Sequence, residues 1–283
     1  MKIIVGKNSG YCNGVKYTID KTIESLDDNN NIYCLGEIVH NSDVVNSLKD
    51  EGLIIVNDIH DVPEGSKMII RAHGVSLETY DIAKKKNIEI IDLTCGKIKI
   101  IHKEVLNHND SFIIVIGKVN HPEVIGTCGH SSSSYVVSSI KDINKCYKAY
   151  LNSNRKKVYI VSQTTFNSKE FDLIVDKIKN KFINDDITIN KSICNATELR
   201  QKEVIDLSKR VDKMIIIGGL NSSNTKELYN LSKDNCDTYL IEDYKDINFK
   251  IDEDNTIGIM SGTSTPKEVI TKVIEVIKKA TVK

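Results

Sequence analysis

The chain has 283 residues, 40% of them hydrophobic, which is enough for a sizeable core in one large domain or in two or three small ones. Lysine plus arginine equals aspartate plus glutamate at 39 each, so no net charge would recruit nucleic acid or an anionic membrane. No segment approaches the ~18 uninterrupted apolar residues of a membrane span, and the N-terminal apolar stretch is too short for a signal peptide. Seven cysteines, an odd number, argue against a disulfide framework. We therefore expect a cytoplasmic protein with reduced thiols.

Short apolar runs recur along the chain, and each is followed by a polar loop and then by a stretch of helical periodicity. Six of them predict strands: KIIV (2–5), MIIR (68–71), FIIVIG (112–117), VYIVS (158–162), MIIIGG (214–219) and TIGIMSG (256–262). Continuous β-branched runs that alternate with amphipathic helices are typical of parallel sheets covered on both faces. Clusters of Asn and Asp at 27–31 and 184–186 predict exposed turns. The predicted fold class is α/β.

A coarse threefold rhythm accompanies this alternation, although no repeat of fixed period is visible. Cys12, Cys95 and Cys194 lie 83 and 99 residues apart, and each interval could hold one small α/β unit. We predict three units around a central site. Their boundaries are 13–95, 96–193, and 194–283 completed by the N-terminal strand within 1–12.

The same three cysteines lie in short polar loops beside apolar runs. Loops at the carboxyl ends of parallel strands converge on one edge of a sheet, so these thiols could share a metal. Glycines on both sides of Cys12 and directly after Cys95 would let the backbone approach a bulky inorganic centre. Three thiolates can hold an iron–sulfur cluster and leave one iron open, and they can also hold zinc with a histidine or water as fourth ligand. Spacing alone leaves both metals open.

The other four cysteines fit a different interpretation, because a lone intracellular cysteine is usually a small buried hydrophobe. Cys34 lies inside the apolar run NIYCLG. Cys146 and Cys236 have the polar surroundings of surface helices. Cys128 is ambiguous, since it shares a glycine-flanked turn with His130.

Histidines, hydroxyls and amides are concentrated in the predicted loops. His40, His73 and His121 follow apolar runs, while NSSN (221–224) and SGTSTP (261–266) each lead into a helical stretch. Free N–H groups at a helix N-terminus suit a phosphate, although ordinary N-capping explains each loop taken singly. Taken together they suggest a diphosphate site built from neutral donors. The remaining histidines are predicted to be surface or structural residues, namely His60, His102, His108 and His130.

The carboxyl group of Glu123 lies close in sequence to these candidate diphosphate-binding residues. Glu123 follows His121 by two residues, and SQTT (162–165) places Thr164 at another strand end. A carboxyl beside a hydroxyl can relay protons to a site without bulk water, and a solvent-exposed glutamate is the alternative. The sequence contains neither a Walker A motif nor G-x-G-x-x-G, so neither a nucleotide-driven motor nor a Rossmann dehydrogenase is indicated.

Nine segments in order resemble one family, the 4-hydroxy-3-methylbut-2-enyl diphosphate reductases (the LytB or IspH proteins). They are GYCNGV (10–15), EIVHN (37–41), AHGVS (72–76), DLTC (92–95), NHPEVIGT (120–127), SQTT (162–165), ICNATELRQ (193–201), NSSN (221–224) and SGTSTP (261–266). Each is weak alone, but nine in family order over nearly the whole chain are specific. Two positions differ from the usual pattern: Gly-Lys-Ile follows Cys95 where a proline and an apolar pair are common, and Gly-Lys-Val-Asn precedes His121 where a second histidine is common.

The resemblance implies a trefoil of three α/β units around a 4Fe–4S cluster ligated by Cys12, Cys95 and Cys194. The fourth iron would bind the terminal hydroxyl of the substrate. The diphosphate would be held by His40, His73, His121, Ser222, Ser223, Asn224 and Ser264. Protons would come from Glu123, with Thr164 and His121 nearby.

The implied reaction is the last step of the non-mevalonate isoprenoid pathway. Two electrons enter one at a time, the hydroxyl leaves as water, and protonation at either end of the allylic fragment gives isopentenyl or dimethylallyl diphosphate. A ferredoxin or flavodoxin would supply the electrons, because the chain has no flavin or nicotinamide motif. Two other hypotheses stay open: a non-enzymatic iron–sulfur carrier or sensor, which has no need of Glu123 or the diphosphate residues, and a zinc-dependent hydrolase.

Overall fold

The computed structural model describes residues 1–28, 31–183 and 185–280. Asn29, Asn30 and Asn184, which belong to the two predicted exposed turns, lie outside the described residues. The strands are β1 (Lys2–Val5), β2 (Ile32–Leu35), β3 (Leu53–Val56), β4 (Lys67–Ile70), β5 (Glu89–Asp92), β6 (Phe112–Ile116), β7 (Ser134–Val137), β8 (Lys157–Ser162), β9 (Asp186–Ile189), β10 (Lys213–Ile217), β11 (Asp237–Ile241) and β12 (Thr256–Ser261).

The helices alternate with these strands. They are α1 (Asn13–Asp28), α2 (Ser42–Asp50), α3 (Leu77–Lys85), α4 (Gly96–Asn107), α5 (Pro122–Cys128), α6 (Ile143–Asn152), α7 (Ser168–Lys181), α8 (Asn195–Ser208), α9 (Ser223–Ser232) and α10 (Lys267–Ala280). All six apolar runs predicted to be strands are strands, and the predicted α/β class is confirmed.

Within the described residues the strands form three parallel sheets of four strands each. Their orders are β3-β2-β4-β5, β7-β6-β8-β9 and β11-β10-β12-β1. If the strands of a sheet are numbered first to fourth along the chain, with β1 taken as the fourth strand of the last sheet, every sheet has the order second-first-third-fourth. The N-terminal strand completes the last sheet by pairing with β12, from Lys2 opposite Thr256 to Val5 opposite Ile259.

A short sequence repeat accompanies this repeated topology. The second strand of each sheet is followed by a 3-10 turn, at Ile59–Asp61, Ile140–Asp142 and Tyr244–Asp246. In the last two, the closing aspartate accepts hydrogen bonds from two backbone N–H groups at the start of the turn, at 2.8–3.0 Å. The sequences NDIHD, SSIKD and EDYKD are therefore equivalent. Sequence reasoning missed this repeat because its members lie 81 and 104 residues apart rather than at a fixed period.

Strand β6 shows why the apolar runs are continuous. Phe112, Ile114 and Ile116 contribute to one buried cluster and Ile113 and Val115 to another, so both faces of the strand are covered. This is the burial expected for a central parallel strand, where no position faces water.

The first of these clusters also contains Cys146, which is fully buried. The interpretation of Cys146 as a small buried hydrophobe is confirmed, and only the surface character inferred from its polar surroundings was wrong. Ile143, Cys146 and Tyr150 recur at helical spacing along α6 and form its buried stripe, while the charged neighbours that suggested a surface position lie on other faces of the helix.

The chain divides into two compact units by its internal contacts. One contains Met1–Lys16, Val39–Ser47 and Asn195–Lys283, and the other contains Tyr17–Ile38 and Leu48–Cys194. The first unit holds the sheet with β1, and the second holds the other two sheets. Division into three units with boundaries at 95 and 193 stays a prediction. No helix within the described residues is both long and apolar enough to cross a membrane.

Candidate active site

Cys12, Cys95 and Cys194 occupy equivalent positions in the fold. Each follows the fourth strand of a sheet and directly precedes a helix, α1, α4 or α8. At Cys12 the sulfur accepts the N–H of Val15 at 3.5 Å, as an N-capping side chain does. The N-terminal end of a helix carries partial positive charge, which suits an anionic group bound beside these side chains.

The backbone of each cysteine is tied to the loop that follows the third strand of the same sheet. The N–H of Cys12 donates to the carbonyl of Thr263 (3.2 Å), that of Cys95 to Ala72 (3.0 Å) and that of Cys194 to Thr164 (2.9 Å). Ala72 and Thr263 directly precede the predicted substrate residues His73 and Ser264, and Thr164 is itself a predicted catalytic residue.

The other cysteines have environments that disfavour metal binding. Burial raises the pKa of Cys34 to about 12, and it also raises that of Cys146 to about 12. Burial raises the pKa of Cys128 and of Cys236 as well, although both are only partly covered. Since the thiolate is the form that binds metals, these four positions fit structural roles. For the ambiguous Cys128 the raised pKa therefore favours a structural role, although its thiol is less buried than that of Cys34.

Glu123 is 2% exposed, so the alternative of a solvent-exposed glutamate is wrong. It lies in the first turn of α5, and its two carboxylate oxygens accept from the backbone N–H of Thr164 at 2.5 Å and from its hydroxyl at 2.7 Å. Burial raises the pKa of Glu123 to about 7, and the two hydrogen bonds from Thr164 oppose this rise without cancelling it. At neutral pH the group can therefore be either a proton donor or an acceptor.

His121 is the N-cap of α5. Its Nδ1 accepts the backbone N–H of Glu123 at 3.2 Å. The imidazole of His73 approaches that of His121 edge to face, with 5.5 Å between ring centroids. One compact unit therefore brings together His73, His121, Glu123 and Thr164, and it also contains Cys95 and Cys194.

The other unit contains Cys12, His40 and the two loops rich in hydroxyl and amide groups. The loop of His40 packs directly on Gly219: a Cβ at this glycine would lie 2.1 Å from the carbonyl oxygen of His40. The loop after β12 is fastened to the end of β10 by a 3.0 Å bond from the Thr265 hydroxyl to the carbonyl of Ile217.

Helix α9 begins in this unit with four consecutive buried polar residues, Ser222, Ser223, Asn224 and Thr225. Ser222 is the N-cap, and its hydroxyl oxygen accepts the N–H of Thr225 at 3.3 Å. Ordinary capping is thus part of the role of Ser222, but its hydroxyl hydrogen remains available as a donor.

The side-chain amide nitrogen of Asn224 has no hydrogen-bond acceptor among the described residues. Its side chain is 3% exposed, and among the described residues its Nδ2 is one of the few buried polar atoms without a hydrogen-bond partner. A buried amide donor without a partner costs roughly 1–3 kcal/mol, so its position beside a helix N-terminus suits an acceptor from outside the chain. A phosphate oxygen would supply one.

Two further groups of residues have contacts that sequence reasoning did not identify. His102 and His130, predicted to be surface or structural, are both buried and stack with 3.9 Å between ring centroids. Burial, followed by the charge of His130, lowers the pKa of His102 to about 3. Arg200 and Glu203 of α8 bind the backbone of the loop before Cys12. Arg200 lies in the segment ICNATELRQ, but its partner is 190 residues away, and no local signal indicates that contact.

Within the described residues, no three histidine, cysteine, aspartate or glutamate side chains are placed to hold a metal ion. In a 4Fe–4S cluster the ligands bind different irons, so they are spread more widely than the ligands of a single ion.

The fold and these side chains define an α/β protein with three equivalent cysteines and a set of polar residues on loops that follow parallel strands. Residues 3–278 match the family model described as LytB protein. The chain belongs to the LytB family, the 4-hydroxy-3-methylbut-2-enyl diphosphate reductases. The prediction made from the nine loop segments is confirmed.

Curated relatives from several bacteria carry that enzyme name. The protein from Thermoanaerobacter sp. (strain X514) is 39% identical, with 98% of this chain and 97% of the relative covered. The protein from Clostridioides difficile (strain 630) is 38% identical, with 97% and 98% covered. Among solved structures, the E-1-hydroxy-2-methyl-but-2-enyl-4-diphosphate reductase from Plasmodium falciparum matches with a TM-score of 0.89 and 34% identity, covering 97% of this chain and 87% of that one.

Proposed function

We propose that this protein removes the hydroxyl group of 4-hydroxy-3-methylbut-2-enyl diphosphate by reduction, to give isopentenyl diphosphate and dimethylallyl diphosphate. Family membership along the whole chain supports the substrate and the reaction. The observation that carries the proposal is the buried pair of Glu123 and Thr164, because the reaction consumes two electrons and two protons and this pair provides a protonatable carboxyl shielded from water.

The proposed cofactor is a 4Fe–4S cluster held by Cys12, Cys95 and Cys194. Three cysteines at helix N-termini fit such a group, since the partial positive charge of a helix N-terminus suits an anionic cluster and the backbone beside each cysteine is fixed. When bound, the cluster supplies electrons one at a time and an open iron for the hydroxyl of the substrate. The chain has no flavin or nicotinamide motif, so we propose a ferredoxin or flavodoxin as electron donor and, given seven free thiols, a cytoplasmic location.

Proton delivery is assigned to Glu123, with Thr164 as its hydrogen-bonded partner. The hydroxyl of Thr164 binds one carboxylate oxygen, so it can pass on a proton when its own hydrogen bond reverses. The backbone N–H of Thr164 holds the other oxygen and fixes the carboxyl in one orientation. One proton leaves with the hydroxyl as water, and the second ends on carbon at either end of the allylic fragment.

The diphosphate is assigned to neutral donors rather than to lysines or arginines. In the first unit these are the first turn of α9 with the unmatched amide of Asn224, and the nearby His40. The complete proposed set is His40, His73, His121, Ser222, Ser223, Asn224 and Ser264. Neutral donors bind phosphate oxygens less strongly than lysine or arginine side chains do, which suits reversible binding of an anionic substrate.

An anaerobic assay with a chemical reductant tests the proposal by following both five-carbon diphosphates. We expect Cys12→Ser, Cys95→Ser and Cys194→Ser each to reduce iron and sulfide content severely, with Cys34→Ser as the matched control that keeps the iron. Failure to form either product from intact, iron-loaded protein would remove the proposed reaction. Loss of iron in Cys34→Ser would show that the cysteines have been assigned wrongly.

A further inference from the structure

The loop that leads from β1 to Cys12 is held by charged side chains of α8. Glu203 accepts the backbone N–H of Lys7 at 2.6 Å on one carboxylate oxygen and that of Asn8 at 2.9 Å on the other. The side-chain amide of Asn8 adds a third bond to Glu203, at 2.7 Å. Hydrogen bonds to a charged acceptor are about twice as strong as neutral ones, so this carboxylate fixes the first half of the loop.

The second half of the same loop is bound by Arg200, three residues earlier on α8. This arginine is 4% exposed, and its Nη2 donates to the carbonyl of Gly10 at 2.8 Å. Its Nη1 donates at 3.0 Å to the carbonyl of Ala196, in the first turn of α8. One planar guanidinium therefore joins the loop before Cys12 to the turn that directly follows Cys194.

Both the N–H and the carbonyl of Gly10 are held by hydrogen bonds. Its φ of +94° is a conformation that other residues rarely adopt, its N–H donates to the hydroxyl of Ser261 at 2.7 Å, and its carbonyl accepts from Arg200. Two residues later the N–H of Cys12 donates to the carbonyl of Thr263. The path of the chain into Cys12 is thus set by a few directed hydrogen bonds, and Arg200 supplies the one from α8.

We propose that Arg200 is a positioning residue that holds the sulfur of Cys12 in place for the cluster, with Glu203 in a supporting role. This inference rests on the proposed function, because it assumes that Cys12 is a cluster ligand. Arginine suits the task because its fixed fork can bind two carbonyls at once, whereas the single ammonium of a lysine cannot span them in the same way.

The test compares Arg200→Met and Arg200→Lys with wild type and with Arg210→Met. Arg210 is a matched control: it follows α8, is exposed, and donates from Nε to the carbonyl of Asp206 at 3.0 Å. Each protein is loaded with iron and sulfide anaerobically, and the rate of iron release to a chelator is measured. Because a buried charge-assisted bond is lost, we expect release to be about tenfold to a hundredfold faster in both Arg200 variants and unchanged in Arg210→Met.

A second measurement separates positioning from general loss of structure. After the iron is removed, each cysteine is alkylated and its extent of modification is read by mass spectrometry. We expect Arg200→Met to accelerate modification of Cys12 and to leave the buried Cys34 and Cys146 as slow as in wild type. Faster modification of all three would mean that the fold itself is weakened, and it would overturn the proposal.

Glu203→Gln provides a milder variant should Arg200→Met fail to fold. It keeps the shape of the side chain but replaces charged acceptors with one neutral acceptor, so iron release should accelerate in the same direction by a smaller factor. Iron release equal to wild type in both Arg200→Lys and Glu203→Gln would refute the positioning role. If wild type itself holds no iron and sulfide, the proposed cluster fails instead, so the two failures are distinguishable.

Discussion

Replacing Glu123 by glutamine should lower turnover and, at alkaline pH, raise stability. The carboxyl is 2% exposed, and burial raises its pKa from 4.5 to about 7. A group whose pKa is higher in the folded than in the unfolded protein stabilises the fold below its unfolded pKa. That contribution is lost as pH rises through the folded pKa. Wild type therefore loses this stabilisation between about pH 4.5 and about pH 7.

The size of the effect follows from the pKa difference. One pKa unit corresponds to about 1.4 kcal/mol, so a rise from 4.5 to about 7 corresponds to about 3 kcal/mol of unfolding free energy. Glutamine is neutral at every pH and lacks this dependence. Its carbonyl can still accept the N–H of Thr164, and the hydroxyl of Thr164 can turn to accept from the glutamine amide.

The assay measures unfolding free energy by denaturant titration of wild type and Glu123→Gln at equal iron content, at about pH 5 and about pH 8. Relative to wild type, the variant should gain up to about 3 kcal/mol between the two pH values. Turnover with a chemical reductant should fall about a hundredfold to ten-thousandfold, because a positioned proton donor is lost. Glu253→Gln, at an exposed position, should change neither quantity.

The outcome that refutes this reasoning is a Glu123→Gln protein whose stability relative to wild type is the same at both pH values. In that case the carboxyl would be ionised in the folded protein at neutral pH. Retained turnover would separately remove Glu123 from proton delivery. The two results are independent, since the first concerns the environment of the carboxyl and the second its role in the reaction.

Three further predictions concern single polar side chains. Thr164→Val should lower kcat about tenfold, whereas Thr164→Ser, which keeps a hydroxyl beside Glu123, should not; equal kcat in the two variants would remove the relay role. Asn224→Ala should raise KM by about tenfold or more with iron content unchanged, while Asn230→Ala on the exposed side of α9 should leave KM alone. His102→Gln should reduce acid sensitivity: burial lowers the pKa of His102 to about 3, so wild type loses stability as pH falls below about 6.5, and an unchanged acid unfolding midpoint would contradict this.

The strands were predictable because burial on both faces leaves an unmistakable sequence pattern. FIIVIG contains β6, whose five residues are all buried and contribute alternately to two different core clusters. The polar residues after such runs were predictable for the same reason, since a parallel strand must be followed by a loop at its carboxyl end. His73, His121 and Thr164 were all singled out on that basis.

Charge clusters and side-chain environments were less predictable, because they depend on contacts between distant parts of the chain. The charged residues around Cys146 suggested a surface helix. Its buried stripe is formed with Ile143 and Tyr150, which lie three and four positions away along the helix. The bond between Arg200 and Gly10 joins residues 190 positions apart. The burial of Glu123 could likewise not be predicted from the sequence, since a glutamate in the first turn of a helix is usually exposed to solvent.

The repeated topology accounts for the number of proposed cluster ligands. In each sheet the loop after the first strand carries His40, His121 or Ser222, the loop after the third carries His73, Thr164 or Ser264, and the loop after the fourth carries a cysteine. The second strand is followed instead by the 3-10 turn with its aspartate. Cys34, Cys128, Cys146 and Cys236 all lie outside the loops after fourth strands, and burial raises the pKa of each thiol. Three sheets thus provide three equivalent cysteines, and a fourth protein ligand would need a position that this topology does not repeat.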